Sequence, residues 1–376
     1  MKKTLAVAGA VALAGVLSIT AAGCSRSTKN LASLSSNWYY DTAFKRIQPT
    51  FDEDAAEKLT YKVTQTEKSH NATYSVEYAD GDYATEFYAK KITADELAKI
   101  TFEDWRGDYT NALSKDGYMY LYYYSTKLSI PSITFTYGDE SKSFSNQSVV
   151  TESYFLSVED YLSPVYSVRT INMAIPKELQ AGSLADCYYE VDMVYESFYT
   201  LSGSNVMTVI TDNNATGDKK SAFSASGLNN YANSVFDMAY LDIVARAMRN
   251  ISSPFSQTIG IYSPGLQMRN YTIATSTEPI FSGDDADNQL KGVQDILEGK
   301  GLFTPDPDNG KTALSTAAVS VTFNGENFSG VSQTYWFAVD EKNNETRTLM
   351  VKYSEPLTYN LGKLDYVLIS IDNIAD

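Results

Sequence analysis

Histidine and cysteine, the side chains that most often carry nucleophilic, acid–base or metal chemistry, are almost missing here. The 376 residues contain one histidine, His70, and two cysteines, Cys24 and Cys187. His70 lies in Lys68-Ser69-His70-Asn71, between two alternating runs, and reads as a solvated turn residue. HExxH cannot exist, and a Ser-His-Asp triad would have to recruit that turn. Cys187 stands beside Tyr188 in a strand-like run and reads as a small buried apolar residue. No thiolate zinc cluster can form from two cysteines. GxSxG, SxxK and the dinucleotide glycine fingerprint do not occur. Gly310-Lys311-Thr312 ends like a phosphate-binding loop, but Pro305 takes the place of its first glycine. A proline there interrupts the run of backbone N–H groups that cradles phosphate, which excludes nucleotide hydrolysis of that type.

Oxygen chemistry survives. In Asp212-Asn213-Asn214-Ala215-Thr216-Gly217-Asp218, Asp212, Asn214 and Thr216 take positions one, three and five, Gly217 position six and Asp218 position seven. That matches the first half of an EF-hand-type calcium loop. The second half fails, because Phe223 stands where the bidentate Glu belongs. Calcium at Asp212, Asn214, Thr216 and Asp218 is the one cofactor candidate; otherwise none is expected. The competing reading is a solvated turn, since Asn, Asp and Gly accept turn geometry. Asp306-Pro307-Asp308-Asn309-Gly310 is a poorer candidate of the same kind. The 46 acidic residues also leave a carboxylate-pair hydrolase open, but no pair can be chosen without a fold.

Tyrosine is the distinctive supply, 29 residues against 3 tryptophans. In DGYMYLYYYSTK, a strand would place Tyr118, Tyr120, Tyr122 and Tyr124 on one face, a ladder of roughly 20 Å. Met119, Leu121 and Tyr123 would take the other. These four tyrosines are the candidate ligand-binding residues, because tyrosine joins a large apolar face to a wet hydroxyl. A strand apolar on both faces is more often interior. Covered rings would therefore make the ladder core and move any binding surface elsewhere.

The elements that must position these residues are mostly strands. Leu59, Tyr61 and Val63 alternate with polar neighbours, as do Ala72, Tyr74, Val76 and Tyr78, and then Tyr83, Thr85 and Phe87. With Asp80-Gly81 offering a hairpin turn, the three runs predict a consecutive antiparallel meander. Thr93-Ala94-Asp95-Glu96 predicts a capping box and a short helix with Leu97 and Ile100 inward. Strand signals continue to residue 176, resume at Tyr189–Tyr195 and Val206–Thr211, and fill the C-terminus. A stripe through Leu228, Tyr231, Val235, Ile243, Ala247 and Ile251 predicts one long helix over 228–251. Leu290, Val293 and Leu297 predict a shorter one. The expected fold is β-rich α+β: antiparallel sheets, one long packed helix, a few short helices, and two lobes of residues 51–180 and 181–376.

The N-terminus carries the clearest address. Lys2 and Lys3 precede an uncharged, Ala/Val/Leu-rich run to Gly23, a secretory signal by its pattern. Ala21-Ala22-Gly23-Cys24 closes it and resembles the lipobox of bacterial lipoprotein signal peptides. The resemblance covers only the first 24 residues, and Ala21 stands where the class usually has Leu. It implies cleavage after residue 23 and lipid on Cys24; residues 24–50 read as a lipidated tether to about Leu34 and then an ordered N-terminal segment anchored by Trp38, Tyr39 and Phe44. Two or more acyl chains hold a protein stably on a membrane it does not span. Of the 30 Lys+Arg, two lie in the first 23 residues, and none of the 46 Asp+Glu does; the remainder carries 28 against 46, or −18. Such a surface repels phosphate backbones, so nucleic acid is excluded as a partner. The expected location is the outer face of a bacterial membrane, attached through Cys24. The leading function is a non-enzymatic binding or scaffolding module for a glycan, peptide or envelope partner. The alternatives are a carboxylate-dependent hydrolase of envelope or dietary polymers and a transporter-associated substrate-binding lipoprotein. Labelled palmitate should incorporate into the intact chain and be lost in Cys24→Ala; equal incorporation in both would overturn the lipidation reading.

Overall fold

A computed structural model describes residues 53–68, 72–111, 117–158, 161–201, 205–226, 235–249, 256–263, 267–276, 286–305, 314, 316–323, 332–338 and 349–373. His70, Cys24, the expected signal segment and tether, and the Asp306–Gly310 loop lie outside these residues. Strands dominate: β1 (Glu57–Lys68), β2 (Ser75–Tyr78), β3 (Gly81–Thr93), β4 (Tyr118–Tyr137), β5 (Glu140–Val158), β6 (Tyr161–Pro176), β7 (Tyr188–Tyr199), β8 (Asn205–Asp212) and β9 (Lys220–Ser226). After them come β10 (Val235–Asp237), β11 (Ser256–Ser263), β12 (Gln267–Ser276), β13 (Thr316–Phe323), β14 (Ser332–Ala338), β15 (Met350–Pro356) and β16 (Gly362–Ile371). Among the described residues four α-helices accompany them: α1 (Ala94–Ile100), α2 (Arg106–Asn111), α3 (Leu241–Arg249) and α4 (Ala286–Gly299).

The sixteen described strands belong to one sheet, in the order β10-β11-β12-β13-β14-β15-β16-β1-β3-β4-β5-β6-β7-β8-β9, with β2 paired to β4 off that path. Only β10 and β11 pair in parallel among the described strands. The sheet crosses residue 180 without a break, because β6 pairs with β7 from Tyr166↔Phe198 to Pro176↔Tyr188.

The sheet is rolled. β11 and β8 are twelve places apart in the order, which in a flat sheet means roughly 58 Å at ~4.8 Å per strand. Yet the hydroxyls of Thr208 on β8 and Tyr262 on β11 lie 2.6 Å apart. Right-handed twist accumulated over many strands brings the two ends face to face. The inside is filled by a plug made of β10, a 3-10 turn at Met238–Tyr240, and α3, which packs on β13 and β14. Met238, Tyr240, Leu241, Ile243, Val244 and Ala247 are all buried there.

The single long helix expected over 228–251 is not what forms. Among the described residues of that range, 235–237 are strand and only Leu241–Arg249 is α-helix. Val235, Phe236 and Asp237 pair with Gly260, Ile261 and Tyr262 instead. Asp237 then accepts from the Ala239 N–H at 2.7 Å and starts the turn, a capping bond that a continuous helix would forbid. The helical stripe holds at Ile243 and Ala247 and fails at Val235, while Leu228, Tyr231 and Ile251 lie outside the described residues. α4, at 14 residues the longest described helix, is the expected shorter one, with Val293 and Leu297 buried.

The first meander also differs. Leu59, Tyr61, Val63, Tyr74, Val76, Tyr78, Tyr83 and Phe87 are buried, as the alternation requires. The pairing is not consecutive: β1 pairs directly with β3, and β2 pairs with β4. Gly81 is not at a positive φ, so the expected turn geometry is not its role. A Cβ there would meet the Ser129 carbonyl oxygen at 2.4 Å, so glycine permits the close approach of β3 to β4. The capping box is present: Thr93 Oγ1 accepts from the Glu96 N–H, and the Glu96 carboxylate accepts from the Thr93 N–H. α1 and α2 cover the outer face near that end of the sheet. There Leu97 and Tyr109 pack with Ile92, Met119, Leu121, Leu156 and Val165 in a second small core.

The plug is clamped to β1 by a two-pronged ion pair. Arg246 Nη1 donates to Glu57 Oε1 at 2.6 Å and Nη2 to Oε2 at 3.1 Å, with both side chains nearly buried. Arg246→Ala should therefore destabilise by about 3–5 kcal/mol in urea unfolding, because Glu57 is left buried and alone. Arg246→Met combined with Glu57→Leu should recover most of the loss; no recovery would mean the clamp acts through something other than charge.

Candidate functional site

Two places gather polar and aromatic side chains, on opposite faces of the same strands. The first is a pocket of about 80 Å³ inside the rolled sheet. β3 contributes Tyr83, β6 contributes Ser167 and Arg169, the plug contributes Asp237 and Asp242, and β14 to β16 contribute Tyr335, Tyr353, Glu355 and Tyr366. Such a volume holds several waters or a small polar molecule.

Burying three carboxylates is costly unless each is hydrogen-bonded. Here each is met by hydroxyls. Asp237 accepts from Ser167 at 2.6 Å and from Tyr199. Asp242 accepts from Tyr83 at 2.7 Å and Tyr124 at 2.8 Å. Glu355 accepts from Tyr353 at 2.6 Å and from Tyr366. Burial still outweighs these bonds. It raises Asp237 and Asp242 above the usual carboxylate range and pushes Glu355 up to about 7. The tyrosines respond in the same sense: burial first, then the adjacent carboxylate, raises Tyr83, Tyr124 and Tyr366. Arg169 is the only cation among the lining residues, and its Nε is buried without a hydrogen-bond partner.

The second place is a row of rings on the outer face. Tyr88, Tyr123, Tyr154, Tyr166 and Phe198 sit directly opposite one another on β3 to β7. Ring centroids are 4.8, 5.1, 6.1 and 5.0 Å apart along the row. Phe102 and Trp105, from the α1–α2 link, extend it beyond Phe198. Tyr88 is buried and the rest are half-buried. One row away in register lie Glu86, Ser125, Glu152, Val168 and Glu196. Tyr166 donates to Glu196 at 3.3 Å, and Lys58 pairs with Glu86 at 3.2 Å. The second core under α1 and α2 borders the other side, with Tyr154 and Tyr166 packed against it.

The tyrosine ladder of β4 is divided by this arrangement. Tyr122 and Tyr124 are 8% and 3% exposed and face the interior, where Tyr124 holds Asp242. Tyr120, at 36%, is exposed near the strand's end, and the side chain of Tyr118 lies outside the described ones. The ladder does not form a continuous open surface. Its neighbour Tyr123, expected on the opposite face, belongs to the outer row.

The calcium candidate is the β8–β9 turn. Asp212 Oδ1 accepts from the Asn214 N–H at 2.9 Å, and the Asn214 side-chain amide donates to the Glu190 carbonyl at 3.0 Å. Thr216 and Asp218 are exposed. Among the described residues no group of three or more His, Cys, Asp or Glu side chains could hold a metal ion. Cys187 is buried and unpaired, and burial pushes its thiol up, away from a reactive thiolate.

Sequence reading missed Asp237, Asp242, Glu355 and Arg169, because nothing local marks them as one site: Asp237 and Asp242 find their partners 38 to 159 residues away, and Glu355 and Arg169 join them only through the roll of the sheet. The outer row had a usable signal, an aromatic at an outward position on each of five successive strands, but lining them up requires the register. No protein-family model, curated protein or solved structure matches this chain.

Glu355 makes stability depend on pH. In the unfolded chain it binds a proton only below about 4.5; folded, it does so below about 7. Between those values the native state holds more protons, so stability falls as pH rises through this window. The melting temperature should drop between pH 5 and pH 7.5, and less steeply in Glu355→Gln. Identical slopes would contradict the assignment.

Proposed function

We propose that the chain is a lipid-anchored, extracytoplasmic binding protein whose outer aromatic row recognises a neutral glycan. The observation that carries this reading is the register-aligned row Tyr88–Tyr123–Tyr154–Tyr166–Phe198, flanked by Glu152 and Glu196. Ring faces carry negative quadrupole density and attract the slightly positive C–H groups of a sugar ring. Carboxylates beside them accept sugar hydroxyls in charge-assisted hydrogen bonds. Tyrosine supplies this contact area with little conformational entropy to lose. A peptide that recognises a sheet by adding a strand needs an open edge, and β3 to β7 are paired on both sides. The acidic balance disfavours polyanionic partners. Lipid on Cys24 supplies the attachment in this reading, on the strength of the lipobox resemblance.

The hydrolase alternative is favoured by one observation, three carboxylates lining one pocket with Glu355 near neutrality. Against it, the pocket is too small for a polymer, and hydroxyl donors already engage each acid.

A glycan array followed by calorimetric titration tests the proposal. The protein should bind one class of neutral oligosaccharide, and Tyr123→Ala with Tyr154→Ala should weaken it at least tenfold while leaving the fold intact by circular dichroism. An array without any binder, or an unchanged affinity in the double variant, would overturn it.

A further inference from the structure

The interior pocket raises a separate question, independent of the outer row. Arg169 enters it from β6 with its Nε buried and unpartnered. No carboxylate among the described residues stands within ion-pairing distance of its guanidinium; Asp237 and Glu355 act on it only at longer range. Burial pulls Arg169 below its ordinary value, yet a guanidinium remains charged in proteins. A buried cation without an ion pair is expensive to keep. Arg169 and Asp242 both retain some accessible surface although protein surrounds them, and that surface is the pocket wall.

The acids lie across the same small space. Glu355 and Asp242 both line the pocket, and the Asp242 charge adds to burial in raising Glu355. Each accepts two tyrosine hydroxyls. A carboxylate has about four acceptor positions, so both keep capacity for a further donor. The pocket thus offers a guanidinium whose Nε has no hydrogen-bond partner and two acids with free lone pairs, between tyrosine rings.

We propose that this pocket binds a small zwitterion of the α-amino-acid class, its carboxylate on Arg169 and its ammonium between Glu355 and Asp242. Arg169 matches a carboxylate because its planar fork can donate two parallel bonds. An ammonium satisfies Glu355 and Asp242 together, which mutual repulsion otherwise opposes. Binding has a proton signature. The groups facing Glu355 are the Tyr353 and Tyr366 hydroxyls, with Arg169, Asp242, Tyr335 and Tyr78 farther away. An added cation favours the ionised acid, so the ligand releases protons near pH 7.

The test uses the full-length protein, each of the twenty L-amino acids, and acetate and methylamine as half-ligands, read by thermal shift and calorimetry. At least one amino acid should bind at a single site, with protons released at pH 7, and neither half-ligand should match it. Arg169→Met should weaken that ligand at least tenfold and raise the melting temperature without ligand, since it removes an unpaired buried charge. If Arg169→Met does not fold, Arg169→Lys, which keeps the charge and loses the fork, should also weaken binding about tenfold. The Tyr123→Ala, Tyr154→Ala variant should bind the amino acid normally, so failure here and failure of the glycan reading are separable. No amino acid binding, acetate binding as well as the best amino acid, or unchanged affinity in the Arg169 variant that folds would each overturn the proposal.

Discussion

A carboxylate cannot be carried into a protein interior unless donors wait for it, and the plug of this fold carries two. Asp237 finds Ser167 and Tyr199, on β6 and β7; Asp242 finds Tyr83 and Tyr124, on β3 and β4. Four strands that lie up to four places apart in the sheet therefore converge on one short segment. The sheet has to roll for these bonds to form. Phenylalanine could fill the same space but could not satisfy the acids, which gives a physical reason for so many tyrosines. Glu355 repeats the arrangement from the sheet itself, with Tyr353 beside it and Tyr366 on the neighbouring strand.

Period-two alternation then gives each strand two jobs. On β4, Tyr122 and Tyr124 turn inward to the core and the plug, while Tyr123 turns outward into the row of half-buried rings. On β6, Ser167 and Arg169 face the pocket and Tyr166 faces out. Inner positions are held by buried hydrogen bonds, so the outer row stands on a rigid support, as a stacking surface needs. Cross-strand ring pairs also stabilise the sheet by roughly 0.2–1 kcal/mol each, so the outer row serves packing and recognition at once.

Strand identity was readable wherever alternation was clean. Tyr61, Val63, Tyr74, Val76 and Phe87 declared their burial, and Thr93 with Glu96 declared a helix start. Partner choice was not readable. The meander expected from Asp80-Gly81 gave way to β1–β3 and β2–β4 pairing, because a sheet's neighbours depend on contacts made elsewhere. The helix expected over 228–251 failed for a related reason. Val235 and Phe236 fit a helical stripe, but β11 offered them a strand partner and Asp237 a cap. The interior pocket was invisible for the strongest reason: its charged residues come from β6, the plug and β15, and only the closed roll places them together.

The central claim is that hydroxyl–carboxylate bonds hold the plug inside the rolled sheet. A double-mutant cycle with Asp237→Ala and Tyr199→Phe, measured by urea unfolding, tests it most directly. Coupling of about 1–3 kcal/mol is expected between groups bonded in a buried site. Additivity within about 0.3–0.5 kcal/mol, the behaviour of distant independent residues, would contradict it.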